Sequence, residues 1–202
     1  MGLWLADAPL VLASRSESRR AVLSAAAIPV EVVPADIDER AIAAQAGMRS
    51  PGEIAVLLAR AKACAVAGKL PGRLVLGADQ TLALGTRLFA KPADLAAAGD
   101  QLKSLRGRTH ELHSAVALAR DGAVLFEHCE IARLAMRHFS DRFLESYIEA
   151  AGLAVTASVG GYQMESVGIQ LFKRSDGDHF TILGLPLLRL LQYLRRESCL
   201  AE

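Results

Sequence analysis

Two long apolar-rich runs, His113–Arg120 and Val124–Met136, are joined by Asp121-Gly122, a dipeptide that closes a two-residue β-hairpin. That junction constrains the fold more than any other feature, because it forces two neighbouring strands to run antiparallel. The rest of the chain reads as alternating strands and helices, the pattern of an α/β protein built on a largely parallel sheet. Both signals together predict a mixed sheet flanked by helices.

The predicted elements begin with a strand at Leu10–Ala13, a helix at Glu17–Ala27 and a strand at Val30–Val33 closed by Pro34. An acidic run, Asp36-Ile-Asp-Glu39, follows as a loop. Pro51 suits the first position of a helix running to Ala67, with Gly68 as its stop. Leu74–Gly77 reads as a short buried strand ending at Ala78-Asp79-Gln80, and Thr81–Ala90 as a hairpin turning at Gly85-Thr86. Asp94 caps an alanine-rich helix to Leu105, and Ser140 caps a helix over Asp141–Ala150. A loop at Gly160-Gly161, a strand at Gly168–Lys173, a turn at Asp176-Gly177 and an amphipathic helix from Pro186 to Glu197 complete the reading.

A chain of 202 residues with 52% apolar content can bury a substantial core, as one large domain or two small lobes. Its net charge of +1 argues against a broad electrostatic surface for nucleic acid or anionic membrane, so any anion site must be a local cluster. Cys64, Cys129 and Cys199 are far apart and form no CxxC pair, which fits a reducing cytosol rather than a disulfide framework or zinc site. The start lacks a basic n-region and meets Asp7 before an apolar core develops. Ala6 stands where a myristoylation signal calls for Ser or Thr. No window approaches the ~20 apolar residues of a membrane span. A soluble, cytoplasmic protein is expected.

Three places carry candidate chemistry. The first is the strand-to-helix turn at 10–23. Ser14, Ser16 and Ser18 offer hydroxyls there, Arg19 and Arg20 offer charged forks, and the helix start offers unpaired N–H groups suited to phosphate. The same stretch also reads as an ordinary N-capped helix with two solvated arginines. The second is Asp79, at the carboxyl end of a buried strand, where open α/β sheets place ligands. A carboxylate there can hold a divalent metal, activate water, or merely cap a turn. Gln80 beside it can read a base edge or a sugar. The third is the set Asp36, Asp38 and Glu39, a hard-cation site or a solvated loop. Lys62 has small neighbours that let it reach inward, although it also reads as a surface helix lysine. Lys91 is held extended by Pro92. There is no P-loop, no GxGxxG and no G-x-S-x-G elbow; His110 and His113 lack an evident third zinc ligand. Water attack on a phosphoryl group is the simplest chemistry left.

Seven stretches in order resemble the Maf family of nucleoside triphosphate pyrophosphatases. They are LVLASRSESRR (10–20), DIDE (36–39), ARAKA (59–63), LGADQ (76–80), AKP (90–92), GGYQMESVGI (160–169) and GLPL (184–187). The resemblance covers nearly the whole chain. It implies a mixed twisted sheet with two lobes around a central cleft, Maf/ITPase-like, as one domain over residues 1–202 and often as a homodimer. It implies hydrolysis of a nucleoside triphosphate between the α and β phosphates, with a divalent cation such as Mg²⁺, Mn²⁺ or Co²⁺. Asp79 is then the general base. Ser14, Arg19, Arg20, Lys62 and Lys91 bind the triphosphate, and Glu39 and Asp79 hold the metal. Ser18, Gln80 and Glu165 fall where members differ in base preference, and Gln80 with Glu165 resembles the branch acting on 7-methyl-GTP. The chain departs from the pattern at Glu17, where the family usually has proline. It departs again at Ser18, where that branch often carries an aromatic residue; Tyr162 is the alternative stacking group. The family is also associated with septum formation, so a nucleotide-binding regulator of division is the alternative to an enzyme. A sugar-phosphate enzyme is a third reading.

Overall fold

The computed structural model describes residues 2–45, 47 and 49–202. In chain order the strands are β1 (Leu10–Leu12), β2 (Val30–Val32), β3 (Val75–Leu84), β4 (Arg87–Phe89), β5 (Thr109–Arg120), β6 (Ala123–Met136) and β7 (Phe172–Asp176). The helices are α1 (Glu17–Ala25), α2 (Glu39–Gln45), α3 (Pro51–Ala67), α4 (Leu95–Leu105), α5 (Asp141–Ala151), α6 (His179–Ile182) and α7 (Leu187–Arg196). One sheet takes the order β2-β1-β3-β5-β6-β7, with β4 beside β3. It is mixed: β1 pairs parallel to β2 and β3, while β3–β4 and β6–β7 are antiparallel. The expected hairpin joins β5 to β6, and Asp121 and Gly122 take φ of 53° and 77°, the left-handed pair of a type I′ turn.

The chain packs as two compact units. The first comprises Met1–Asp79, Ser114–Glu130 and His179–Glu202, and the second Gln80–His113 and Ile131–Asp178. In the first unit the strands alternate with period two, so each side chain set serves a different helix layer. Leu10, Leu12, Leu76, Ala78, Val116 and Leu118 bury against Val22 and Leu23 of α1 and Leu190, Tyr193 and Leu194 of α7. Val11, Ala13, Val75, Ala115, Ala117 and Ala119 bury against Ala55, Ala59, Ala63 and Val66 of α3. This second layer is made largely of alanines, which lets α3 approach β3 closely at Gly77. In the second unit, Tyr147 on α5 donates to the Gly161 carbonyl at 3.0 Å, and His110, Tyr162 and Phe172 form a ring cluster.

Several expectations shift by a residue or two, and three change in kind. The strand expected to stop at Gly77 continues to Leu84, because Leu82, Ala83 and Leu84 pair with β4. The acidic run is not all loop: Asp38 accepts from the Ala41 N–H at 2.9 Å, capping α2 with Glu39 as its first residue. The strand expected at Gly168–Lys173 is a 3₁₀ turn over Val167–Leu171, with β7 starting only at Phe172. A Cβ on Gly168 would lie 2.8 Å from the Gln163 backbone nitrogen, so the chain coils tightly there before it extends. No helix among the described residues is long and apolar enough to cross a membrane.

Candidate active site

The ladder between β1 and β3 ends at Leu12 and Leu76, closed by the Ala13 N–H donating to the Leu76 carbonyl at 2.8 Å. Beyond it β1 gives way to a serine-rich turn while β3 runs on. Asp79 thus lies inside a strand yet past the carboxyl end of the parallel ladder. Ser16 caps α1, its hydroxyl oxygen accepting from the Arg19 N–H at 3.3 Å. Arg19 is buried and its fork is largely occupied. Nε donates to the Gly184 carbonyl at 2.9 Å, and Nη1 donates to the Ala78 carbonyl at 2.9 Å and to Ser14 Oγ at 3.1 Å. Ser14 Oγ also accepts from the Ser16 N–H at 3.2 Å, so the hydrogen bonds it receives leave its own hydroxyl proton as the group to offer a ligand. Arg19 thereby staples the turn to β3 and to the segment before α7. Ser18 does the same more weakly, donating to the Leu183 carbonyl at 3.1 Å.

Helix α3 supplies the central cation. Its start is fixed by Pro51 and by a capping box in which Ser50 and Glu53 satisfy each other's backbone N–H groups. Ala59 and Ala63 on this helix press against Gly77 of β3, where a Cβ would fall 2.7 Å from the Ala63 nitrogen. That close approach delivers Lys62 to β3. Its Nζ lies 2.6 Å from Asp79 Oδ1 and 2.9 Å from Glu39 Oε2. Lys62 and Asp79 are each 7% exposed, whereas the Glu39 side chain is 51% exposed, so the acid–ammonium–acid line runs from the interior to solvent. Burial is the main force on Asp79 and raises its pKa above the ordinary value; the Lys62 and Arg19 charges pull it back, and Glu39 adds a smaller upward push. Burial likewise lowers the Arg19 pKa, opposed by Asp79 and Glu39. Buried Lys62 and Asp79 neutralise each other directly, which is how such charges survive burial.

The remaining sequence candidates are spread more widely. Arg20 bonds Glu17 at 2.6 Å on the surface, so the acidic residue at position 17 neutralises its own neighbour and is 79% exposed. Asp36 and Asp38 are exposed. Gln80 (half-buried, on β3), Lys91 (exposed, after β4) and Glu165 (exposed) belong to the second unit. His110 pairs with the Tyr162 hydroxyl at 2.7 Å and His113 with Glu111 at 3.1 Å, each in a separate bond. Sequence reasoning passed over Gly77 and the carbonyls of Leu183 and Gly184, which position the charged groups. The visible signal was the small-residue spacing Ala59-x-x-x-Ala63 around Lys62. Among the described residues no three His, Cys, Asp or Glu side chains converge as a metal cage. Two carboxylates fit a hard divalent cation of the magnesium kind, which takes one or two protein carboxylates and completes its shell with water and substrate phosphates.

The chain belongs to the Maf family: the Maf-like protein family matches residues 9–197. It is 57% identical over 201 residues to a protein named nucleoside triphosphate pyrophosphatase from Rhodopseudomonas palustris, with all of both chains covered. It is 50% identical over 194 residues to a 7-methyl-GTP pyrophosphatase from Brucella abortus, covering 95% of this chain and 97% of that one. Among solved structures, a nucleoside-triphosphatase / dITP/XTP pyrophosphatase from Mycobacterium abscessus matches at 16% identity with a TM-score of 0.41 over 95% of each chain, too loose a likeness to compare residues.

Proposed function

We propose that the protein is a nucleoside triphosphate pyrophosphatase that hydrolyses the α–β phosphate bond and releases a nucleoside monophosphate and pyrophosphate. The observation that carries this reading is the Lys62 ammonium held between buried Asp79 and half-exposed Glu39. Its support is the family and a relative with that name across its full length. In the reaction, a water oxygen bonds to a phosphorus flanking the α–β bridge, the bridging oxygen leaves, and the water proton passes to Asp79 Oδ. A carboxylate whose pKa burial raises is a better proton acceptor than an exposed one. Lys62 Nζ, with one N–H left after its two ion pairs, and the Ser14 hydroxyl face the charge that develops on phosphate oxygens. Arg19 acts through its staples, holding Ser14 and the Ala78 carbonyl in place, with Nη2 left for an anion. Asp79 and Glu39 would hold a divalent cation, Mg²⁺, Mn²⁺ or Co²⁺, which supplies Lewis-acid neutralisation of the triphosphate.

For the base, a modified or non-standard purine is the favoured substrate, with 7-methyl-GTP foremost, because of the Brucella relative and of Glu165. A carboxylate accepts from guanine N1–H and N2–H together, and methylation at N7 makes the base cationic. The deciding experiment is Asp79→Asn, assayed by pyrophosphate release over a panel of triphosphates and by nucleotide binding. Turnover should disappear while binding persists; unchanged turnover would remove Asp79 from the chemistry. If the wild-type chain turned over no triphosphate with any of the three metals, the enzyme reading itself would fail.

A further inference from the structure

The segment between α5 and β7 has little regular structure of its own. Its two 3₁₀ turns, Gly152–Thr156 and Val167–Leu171, are joined by irregular chain over 157–166. Backbone polar groups there need partners that no ladder supplies, and side chains of the second unit supply them. Gln101 of α4 donates to the Val159 carbonyl, and Tyr147 of α5 donates to the Gly161 carbonyl at 3.0 Å. Arg137, just past β6, donates from Nε to the Gln170 carbonyl at 2.6 Å. Binding residues concentrate on loops held in this way by a rigid scaffold.

Tyr162 is the centre of this wiring. Among the described residues 156–170, only Tyr162 buries its side chain, at 5% exposed. The ring that the sequence offers for stacking on a base therefore points inward. It folds over Gly160, where a Cβ would strike it, and meets Phe172 edge-on at 4.7 Å. Its hydroxyl ends 2.7 Å from Nε2 of His110 on β5. Ser158 Oγ accepts from the Tyr162 N–H at 3.1 Å and donates to the Tyr162 carbonyl at 2.5 Å. Three residues further on, Glu165 stands exposed on a turn closed by the Ser166 N–H, which donates to the Gln163 carbonyl at 3.2 Å.

His110 is a costly residue for its place. It is 1% exposed, and its Nδ1 has no hydrogen-bond partner among the described residues. A half-satisfied imidazole in a core stabilises less than an apolar side chain of similar size. What it adds is direction, because a hydroxyl bonded to a fixed ring nitrogen holds the Tyr162 ring in one place. We propose that His110 is a positioning residue for base recognition: through the Tyr162 hydroxyl it fixes the turn at 160–166 and with it the Glu165 carboxylate. This rests on the proposed reading of the base by Glu165. Parallel bonds from guanine N1–H and N2–H require both carboxylate oxygens in the plane of the base, so a small tilt of the turn loses selectivity. Ser14, Arg19, Lys62 and Asp79 belong to the first unit, so the chemical step does not depend on this turn.

Tyr162→Phe removes the hydroxyl and keeps the ring, and His110→Leu removes the other end of the same bond. Each should raise KM and Kd for 7-methyl-GTP about tenfold, the worth of one hydrogen bond to a charged group, with kcat and the UTP constants kept. Amide exchange over 160–166 should quicken in both. In the double variant Tyr162→Phe/Glu165→Gln, the 7-methyl-GTP constants should match those of Glu165→Gln alone, because a misplaced carboxylate and a missing one lose the same contact. Equal weakening of every triphosphate, full additivity in the double variant or unchanged exchange would each overturn the proposal. Equal losses across bases in Glu165→Gln itself would remove the base reading as well, so the two failures are told apart by that single variant. Kd and exchange are read without turnover, so a wild-type chain that hydrolyses no triphosphate still decides the positioning.

Discussion

Replacing Gly77 with alanine tests whether the site depends on how closely α3 lies against β3. The new methyl would sit 2.7 Å from the Ala63 nitrogen and 3.0 Å from its Cβ, and it would also strike the Ala59 carbonyl oxygen. Ordinary contacts begin near 3.4 Å, so the difference is the least that the helix must retreat. The obstructing atoms are mostly backbone of a helix buried on this face, not the end of a flexible side chain. Overpacking of this sort costs about 1–3 kcal/mol. At about 2–4 °C per kcal/mol for a chain of this size, the melting temperature should fall by several degrees. Lys62 rides on the same turn, between Ala59 and Ala63, and its ammonium now lies 2.6 Å from Asp79. A shift of that order at a catalytic group costs on the order of 100-fold in rate. Urea unfolding and pyrophosphate release, the latter measured well below the melting point, separate the two effects. Gly68→Ala is the control: its Cβ would meet only the Cys64 carbonyl at 3.4 Å, and its φ of −66° suits any residue. A Gly77→Ala protein with wild-type stability and turnover would refute the close packing and, with it, this account of how Lys62 is positioned.

Two further outcomes are expected. Burial holds the His110 imidazole down at about 4 against an ordinary 6.5. The unfolded chain therefore takes up a proton in that window while the folded chain does not, and stability falls as pH drops through it, by up to about 3 kcal/mol. His110→Gln keeps a hydrogen-bonding group near Tyr162 without the titration, so thermal melts should lose that slope; an unchanged slope would assign it elsewhere. Glu165→Gln should weaken 7-methyl-GTP and other guanine-type substrates more than pyrimidine ones in kcat/KM, and equal losses across bases would end its role in base reading.

Much of the fold was legible locally. Asp121-Gly122 announces its hairpin because only residues tolerant of positive φ close a two-residue turn. Pro51, Ser16, Asp94 and Ser140 mark helix starts because capping is a contact within one turn of chain. The misread segments failed where local pattern competes with packing. Gly168 looks like strand but coils against Gln163, and the Asp36–Glu39 run looks like loop but starts a helix at Glu39. At the site, the sequence singled out Ser14, Arg19, Glu39, Lys62 and Asp79 by residue type and order. It could not say that Arg19 spends its donors on the carbonyls of Ala78 and Gly184, or that Arg20 turns away to Glu17.

The division has a physical cause. Turn chemistry, caps, periodicity and the kinds of group available are properties of neighbouring residues, and the amino-acid sequence alone determines them. Whether Lys62 is a solvated helix lysine or the ammonium between two carboxylates depends on contacts of α3 with β3, 17 positions on at Asp79, and with α2, 23 positions back at Glu39. Burial sets the basicity of Asp79 and the cost of leaving it unpaired, and burial exists only once those segments have packed.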